Sequence, residues 1–281
     1  MKDNLFVLNK LRFEISFNSL DQLRLLLSFY QNHNLLKINI PCKSNLKKDL
    51  LLSAIKVSRE EFPNINIIPH FSIQHQFRRN SQNTLIDLYG FFREIEYLGC
   101  KDVLLVSGSQ KKATLDSLST LTHISENSFF TKSPKIGIAL NLYLPEILFQ
   151  EEMLRLKYKL KTNCVSSVWL QFGSDCRVLD KRIKLIKNVI LDNIRHNKNK
   201  SHISLFGSIL IPSNQFLTRF KFRPWKGVYL SREFLNSLQI ANLLVLQVLK
   251  VYKKHKIIPL IETKTSTEKE LNHIISVMKM V

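Results

Sequence analysis

Eight short β-rich runs, each followed by a longer amphipathic stretch, predict a single (β/α)8 barrel. Two further observations support it. The chain has 281 residues, 44% of them hydrophobic, a length at which α/β barrels commonly form one domain. No glycine-rich turn follows any early strand, which disfavours an open doubly wound sheet. The expected domain covers residues 1–281.

The first strand is read in LRFEISFNS, residues 11–19, as residues 11–17. Leu11, Phe13, Ile15 and Phe17 alternate with Arg12, Glu14, Ser16 and Asn18, which gives one apolar and one polar face. A carboxylate in mid-strand is unremarkable on an open sheet but points to chemistry inside a closed barrel. The remaining strands are expected at 36–40, 65–71, 102–107, 135–140, 165–172, 203–211 and 257–262. Helices are expected from apolar residues at three-and-four spacing over 20–33, from 47 onward, and over 82–98 and 178–196. In such a barrel catalytic groups come from the C-terminal ends of strands. The ends here offer Glu14 and Ser16, Asn39, His70 and Ser72, Ser107 and Ser109, Gln171 and Asp175, and Glu262 and Lys264.

Bulk properties narrow the function classes. The longest apolar stretch, residues 241–251, is too short and too interrupted to cross a bilayer. The opening residues carry neither an apolar signal core nor an acid-free, arginine-rich presequence. A soluble cytoplasmic protein is expected, with an organellar matrix left open. Four scattered cysteines form no C-x-x-C pair, so neither a disulfide framework nor a zinc site is expected. His75 stands five residues after His70, which is not a recurring metal-ligand spacing. The net charge of +20, from 42 Lys and Arg against 22 Asp and Glu, favours anionic partners. The cations are dispersed along helices and no nucleic-acid recognition module is visible, so this reads as general surface charge.

The ordered strand ends resemble the methylenetetrahydrofolate reductase family, flavin-dependent (β/α)8 barrels of one-carbon metabolism. FEISFNS resembles that family's F-E-F-F-P-P, and IIPHFSIQ its A-P-H-L-T-C. YLGCKDVLLVSGS resembles G-I-x-x-I-x-A-L-R-G-D. EEMLRLKYKLKTNCVSSVWLQFGSD resembles D-L-x-x-L-x-x-K-x-x-A-G-A-x-x-x-x-T-Q-x-x-F-D. The resemblance implies hydride transfer from NAD(P)H through FAD to 5,10-methylenetetrahydrofolate. Glu14 would be the proton donor and Gln171 the pterin clamp, with Asn39 also on the substrate side. His70, Ser107, Gly108, Ser109 and Lys159 would line the flavin. A folate substrate, no specific nucleic acid, no membrane insertion and possible homo-oligomers complete the expectation.

The departures open alternatives. Ser107-Gly108-Ser109 replaces R-G-D, Asn39 replaces a threonine, and KKATLDSLSTL lacks the family's Y-A-x-D-L element. ALNLYLP stands where the family has A-x-Y-P-E. A relative that binds folate or a protein partner without reduction is one alternative. A reductase working without flavin is the other. Each residue also has a plain reading. Glu14 could pair with Arg12 or Lys37, Gln171 could satisfy backbone groups at its strand end, His70 could be a satisfied core residue, and Asp175 could cap the next helix. The basic run 155–161 could be a solvated helix face.

Overall fold

The computed structural model describes residues 11–42, 48–73, 81–107, 115–127, 134–197, 202–225 and 227–280. Eight strands close into a parallel barrel in sequence order, as expected. The first half alternates strictly: β1 (Arg12–Glu14), α1 (Leu20–Asn32), β2 (Lys37–Ile40), α2 (Lys48–Glu61), β3 (Asn66–Ser72), α3 (Ser81–Tyr97), β4 (Asp102–Val106) and α4 (Ser117–Glu126). It continues through β5 (Lys135–Leu140), α5 (Glu146–Lys161), β6 (Val165–Leu170) and α6 (Cys176–His196). After β7 (Ser204–Ile209) come α7 (Asn214–Phe222), the short α8 (Arg232–Asn236) and α9 (Leu238–His255). The last elements are β8 (Ile258–Ile261) and α10 (Glu268–Lys279).

The chain packs as two compact units. One comprises Arg12–Ala139 and Tyr158–Ser167; the other is made mainly of Leu140–Lys157 and Val168–Val281. In the first, outward-facing strand residues meet the helices through aromatic edges. Phe13 meets Tyr30 at 5.4 Å and Phe71 meets Phe91 at 5.3 Å between ring centroids. In the second, Trp169 stacks on Phe206 at 3.9 Å.

The period-two reading of the first strand holds for packing. Leu11, Phe13, Ile15 and Phe17 are all buried. The regular strand is shorter than expected, three residues, although the Ile15 amide still donates to the Asn39 carbonyl at 3.1 Å. The alternate face is split: Ser16 and Asn18 are exposed, Glu14 is half-buried, and Arg12 is only 4% exposed. Closure of the sheet turns a polar strand face into barrel interior.

Candidate functional site

Three of the expected residues lie in a row across the first three strands. Glu14 is the last residue of β1 and pairs in register with Asn39, the penultimate residue of β2. The Asn39 amide nitrogen lies 2.9 Å from Nε2 of His70 on β3. Glu14 is half-buried, while Asn39 and His70 are buried.

Arg12 fixes this row from beneath. Its Nε donates to Asn39 Oδ1 at 2.7 Å, and Nη1 and Nη2 each donate to Asn66 Oδ1 at 2.9 Å. Nη2 also donates to the carbonyls of Ile38 and Asn66. Every hydrogen-bond partner is neutral, so Arg12 is not the ion-pair partner of Glu14. Burial lowers the Arg12 pKa to about 10, and the charge of Asp102 opposes that shift, so the guanidinium stays protonated at neutral pH. An arginine only donates, which commits Asn39 Oδ1 as acceptor and Nδ2 as donor. His70 Nε2 must then accept, leaving the ring proton on Nδ1. The alternating sequence places Arg12 on the polar strand face but says nothing of this role.

The residues expected on the flavin side are placed differently. Ser107 Oγ donates to Ser117 Oγ at 2.9 Å and accepts from the Ser117 amide at 3.0 Å, tying the end of β4 to the start of α4. Lys159 lies near the C-terminal end of α5 and is only 2% exposed. The basic run 155–161 is therefore not one solvated face: Leu156, Lys159 and Leu160 point inward. Gly108, Ser109 and His75 lie outside the described residues. Among the described residues, no group of three or more His, Cys, Asp or Glu side chains could hold a metal.

Gln171 belongs to the second unit, directly after β6, with its amide donating to the Leu140 carbonyl at 2.9 Å. Asn141, which the sequence reading did not single out, organises the same neighbourhood. Its Oδ1 accepts from the Tyr143 amide and its Nδ2 donates to the Gly227 carbonyl, both at 2.9 Å. The Gln171 amide lies alongside Gly227. Tyr143 reaches over Gly173 and donates to its carbonyl at 2.9 Å; a side chain at residue 173 would collide with the ring. The segment after α7 is held by Ser174, whose amide donates to the Tyr229 carbonyl and whose hydroxyl accepts from the Ser231 amide. At the end of β7, Ser208 Oγ donates to Glu262 Oε1 at 2.5 Å. Asp175 caps α6, accepting from the amides of Arg177 and Val178.

No protein-family profile and no curated relative matches the sequence. Solved structures do match. A dihydrodipicolinate synthase from Agrobacterium tumefaciens aligns with a TM-score of 0.53 at 9% identity, covering 90% of this chain and 79% of that one. An aldo-keto reductase from Klebsiella pneumoniae in complex with NADPH aligns with a TM-score of 0.53 at 10% identity, covering 96% of this chain and 85% of that one. The likeness establishes the barrel fold alone.

Proposed function

We propose that this barrel is a reductase that takes a hydride directly from a reduced nicotinamide and delivers it to a folate of the 5,10-methylene type, without a resident flavin. The observation that carries the reading is the row Glu14–Asn39–His70 at the C-terminal ends of three adjacent strands, where barrel enzymes keep their chemistry. The route through flavin is the less favoured of the two: Ser107 Oγ donates to Ser117, His70 Nε2 faces Asn39, and Lys159 is buried. A barrel of this fold holds NADPH in the Klebsiella aldo-keto reductase, which supports a nicotinamide donor.

The atoms balance simply. Glu14 gives a proton to the nitrogen released as the methylene bridge opens, and the hydride adds to the resulting iminium carbon, giving 5-methyltetrahydrofolate and the oxidised nicotinamide. The net charge of +20 draws in the carboxylates of folate and the diphosphate of the nicotinamide.

The test is purification followed by absorbance and turnover. Colourless protein that oxidises NADH or NADPH with 5,10-methylenetetrahydrofolate is expected. Glu14→Gln should lower kcat by roughly 10²–10⁴-fold. Yellow protein with the spectrum of an oxidised flavin restores the flavin reading, and absence of turnover overturns the reductase. A binding-only relative is the second reading, favoured by Ser109 standing where the family has aspartate. Folate binding without turnover selects it.

A further inference from the structure

A cleft of about 230 Å3 opens at the N-terminal ends of β3 and β4, away from the strand ends that carry Glu14, Asn39 and His70. It is lined by Arg59, Asn64, Asn66, Gly99 and Lys101 among others, and no carboxylate is among its lining residues. The volume is several times that of one water, enough for an oxyanion with a short organic tail.

The lining is rich in donors that are already positioned. Arg59 donates through Nε to the Leu98 carbonyl at 3.1 Å and through Nη1 to the Ile65 carbonyl at 3.4 Å. Those two bonds hold the guanidinium while Nη2 lies beside Gly99, 3.5 Å from where a Cβ would stand. Gly99 has φ +74°, a conformation that disfavours a side chain, so the guanidinium stays uncovered there. Asn66 uses Oδ1 for Arg12, which leaves its amide nitrogen as a further donor. Lys101 contributes a second cation, exposed and without a side-chain partner among the described residues. Arg59 and Lys101 put two cations around a recess whose lining residues include no carboxylate, and such a lining favours an anion.

The same Asn66 begins a hydrogen-bonded line into the barrel. It runs from Asn66 to Arg12, from Arg12 to Asn39 and from Asn39 to His70, over contacts of 2.9, 2.7 and 2.9 Å. An acceptor on the Asn66 amide nitrogen strengthens its Oδ1 as a partner for Arg12, and chains of this kind polarise cooperatively.

We propose that the cleft binds a small phosphate-bearing anion through Arg59, Lys101 and Asn66, and that occupancy is felt at His70 through Arg12 and Asn39. This goes beyond the reductase reading and does not depend on it. The test is titration of the full chain at constant ionic strength with inorganic phosphate and, separately, glycerol 3-phosphate, followed by 31P NMR. Saturable binding of either probe is expected, weakened at least tenfold by Lys101→Met and by Arg59→Met and unchanged by Lys221→Met, an equal charge loss elsewhere. Tighter binding of glycerol 3-phosphate identifies an organic phosphate, and equal binding identifies the free oxyanion. Binding absent from the wild type, or retained in Lys101→Met, overturns the site. With 15N-labelled histidine, the His70 ring signals should shift as the cleft fills; signals that stay fixed at saturation overturn the coupling. None of these readouts requires turnover.

Discussion

At the scale of single residues, the chemistry turns on a buried cation satisfied by neutral groups. Arg12 is held by two asparagines and two carbonyls, and it decides which way Asn39 faces. Replacing Asn39 with leucine removes its hydrogen bonds to Arg12 Nε and His70 Nε2. The expected loss is about 1–3 kcal/mol for each group, read from urea unfolding. Asn39→Asp makes a different prediction. Aspartate cannot donate to His70 while it accepts from Arg12, so the histidine proton should move to Nε2. Nitrogen-15 NMR of the ring distinguishes the two tautomers, and an unchanged spectrum counts against the assignment.

At the scale of elements, caps and close approaches fix where helices begin and loops lie. Asp175 serves two amides at the start of α6, and Asp116 and Ser119 form a reciprocal capping box on α4. Asp175→Ala is expected to cost about 1 kcal/mol and to lower Tm by a few degrees. Gly173→Ala acts on the loop after β6, because its methyl group enters the space of the Tyr143 ring. Overpacking of that kind costs about 1–3 kcal/mol, read from urea unfolding. Asp175 was legible because an aspartate stands immediately before a run of helical periodicity. The Tyr143–Gly173 contact was not, since it joins residues 30 apart whose spacing has no local signature.

At the scale of the whole molecule, charge and titration set the response to conditions. Among the described residues, no helix is long and apolar enough to cross a membrane. A surplus of +20 destabilises the compact state by self-repulsion, so added salt in the physiological range should raise Tm. A Tm that falls with salt would show instead that attractive surface pairs outweigh the surplus. Burial raises the thiols of Cys100 and Cys176 to about 11 each, from an ordinary value near 9. The folded state thus favours the neutral thiol. That contribution is fully present below about pH 9 and is lost as pH rises toward 11. Unfolding free energy measured from pH 8 to 11 should fall across that window, and Cys100→Ala with Cys176→Ala should flatten the fall.

The sequence by itself determined the barrel and most of its strand positions, because alternation with period two and helical periodicity are local and repeat along the chain. It also marked Glu14, Asn39, His70 and Gln171, because polar residues at the ends of apolar strands stand out. Closure of the sheet decided the rest. Whether Arg12 faced water or the barrel interior depended on strands far away in sequence, as did its grip on Asn39 and Asn66. Lys159 looked like part of a solvated helix face until packing buried it, and Ser107 looked available until the start of α4 folded back onto it. Hydrogen bonds and burial are properties of neighbours in space, and a linear pattern records only neighbours along the chain.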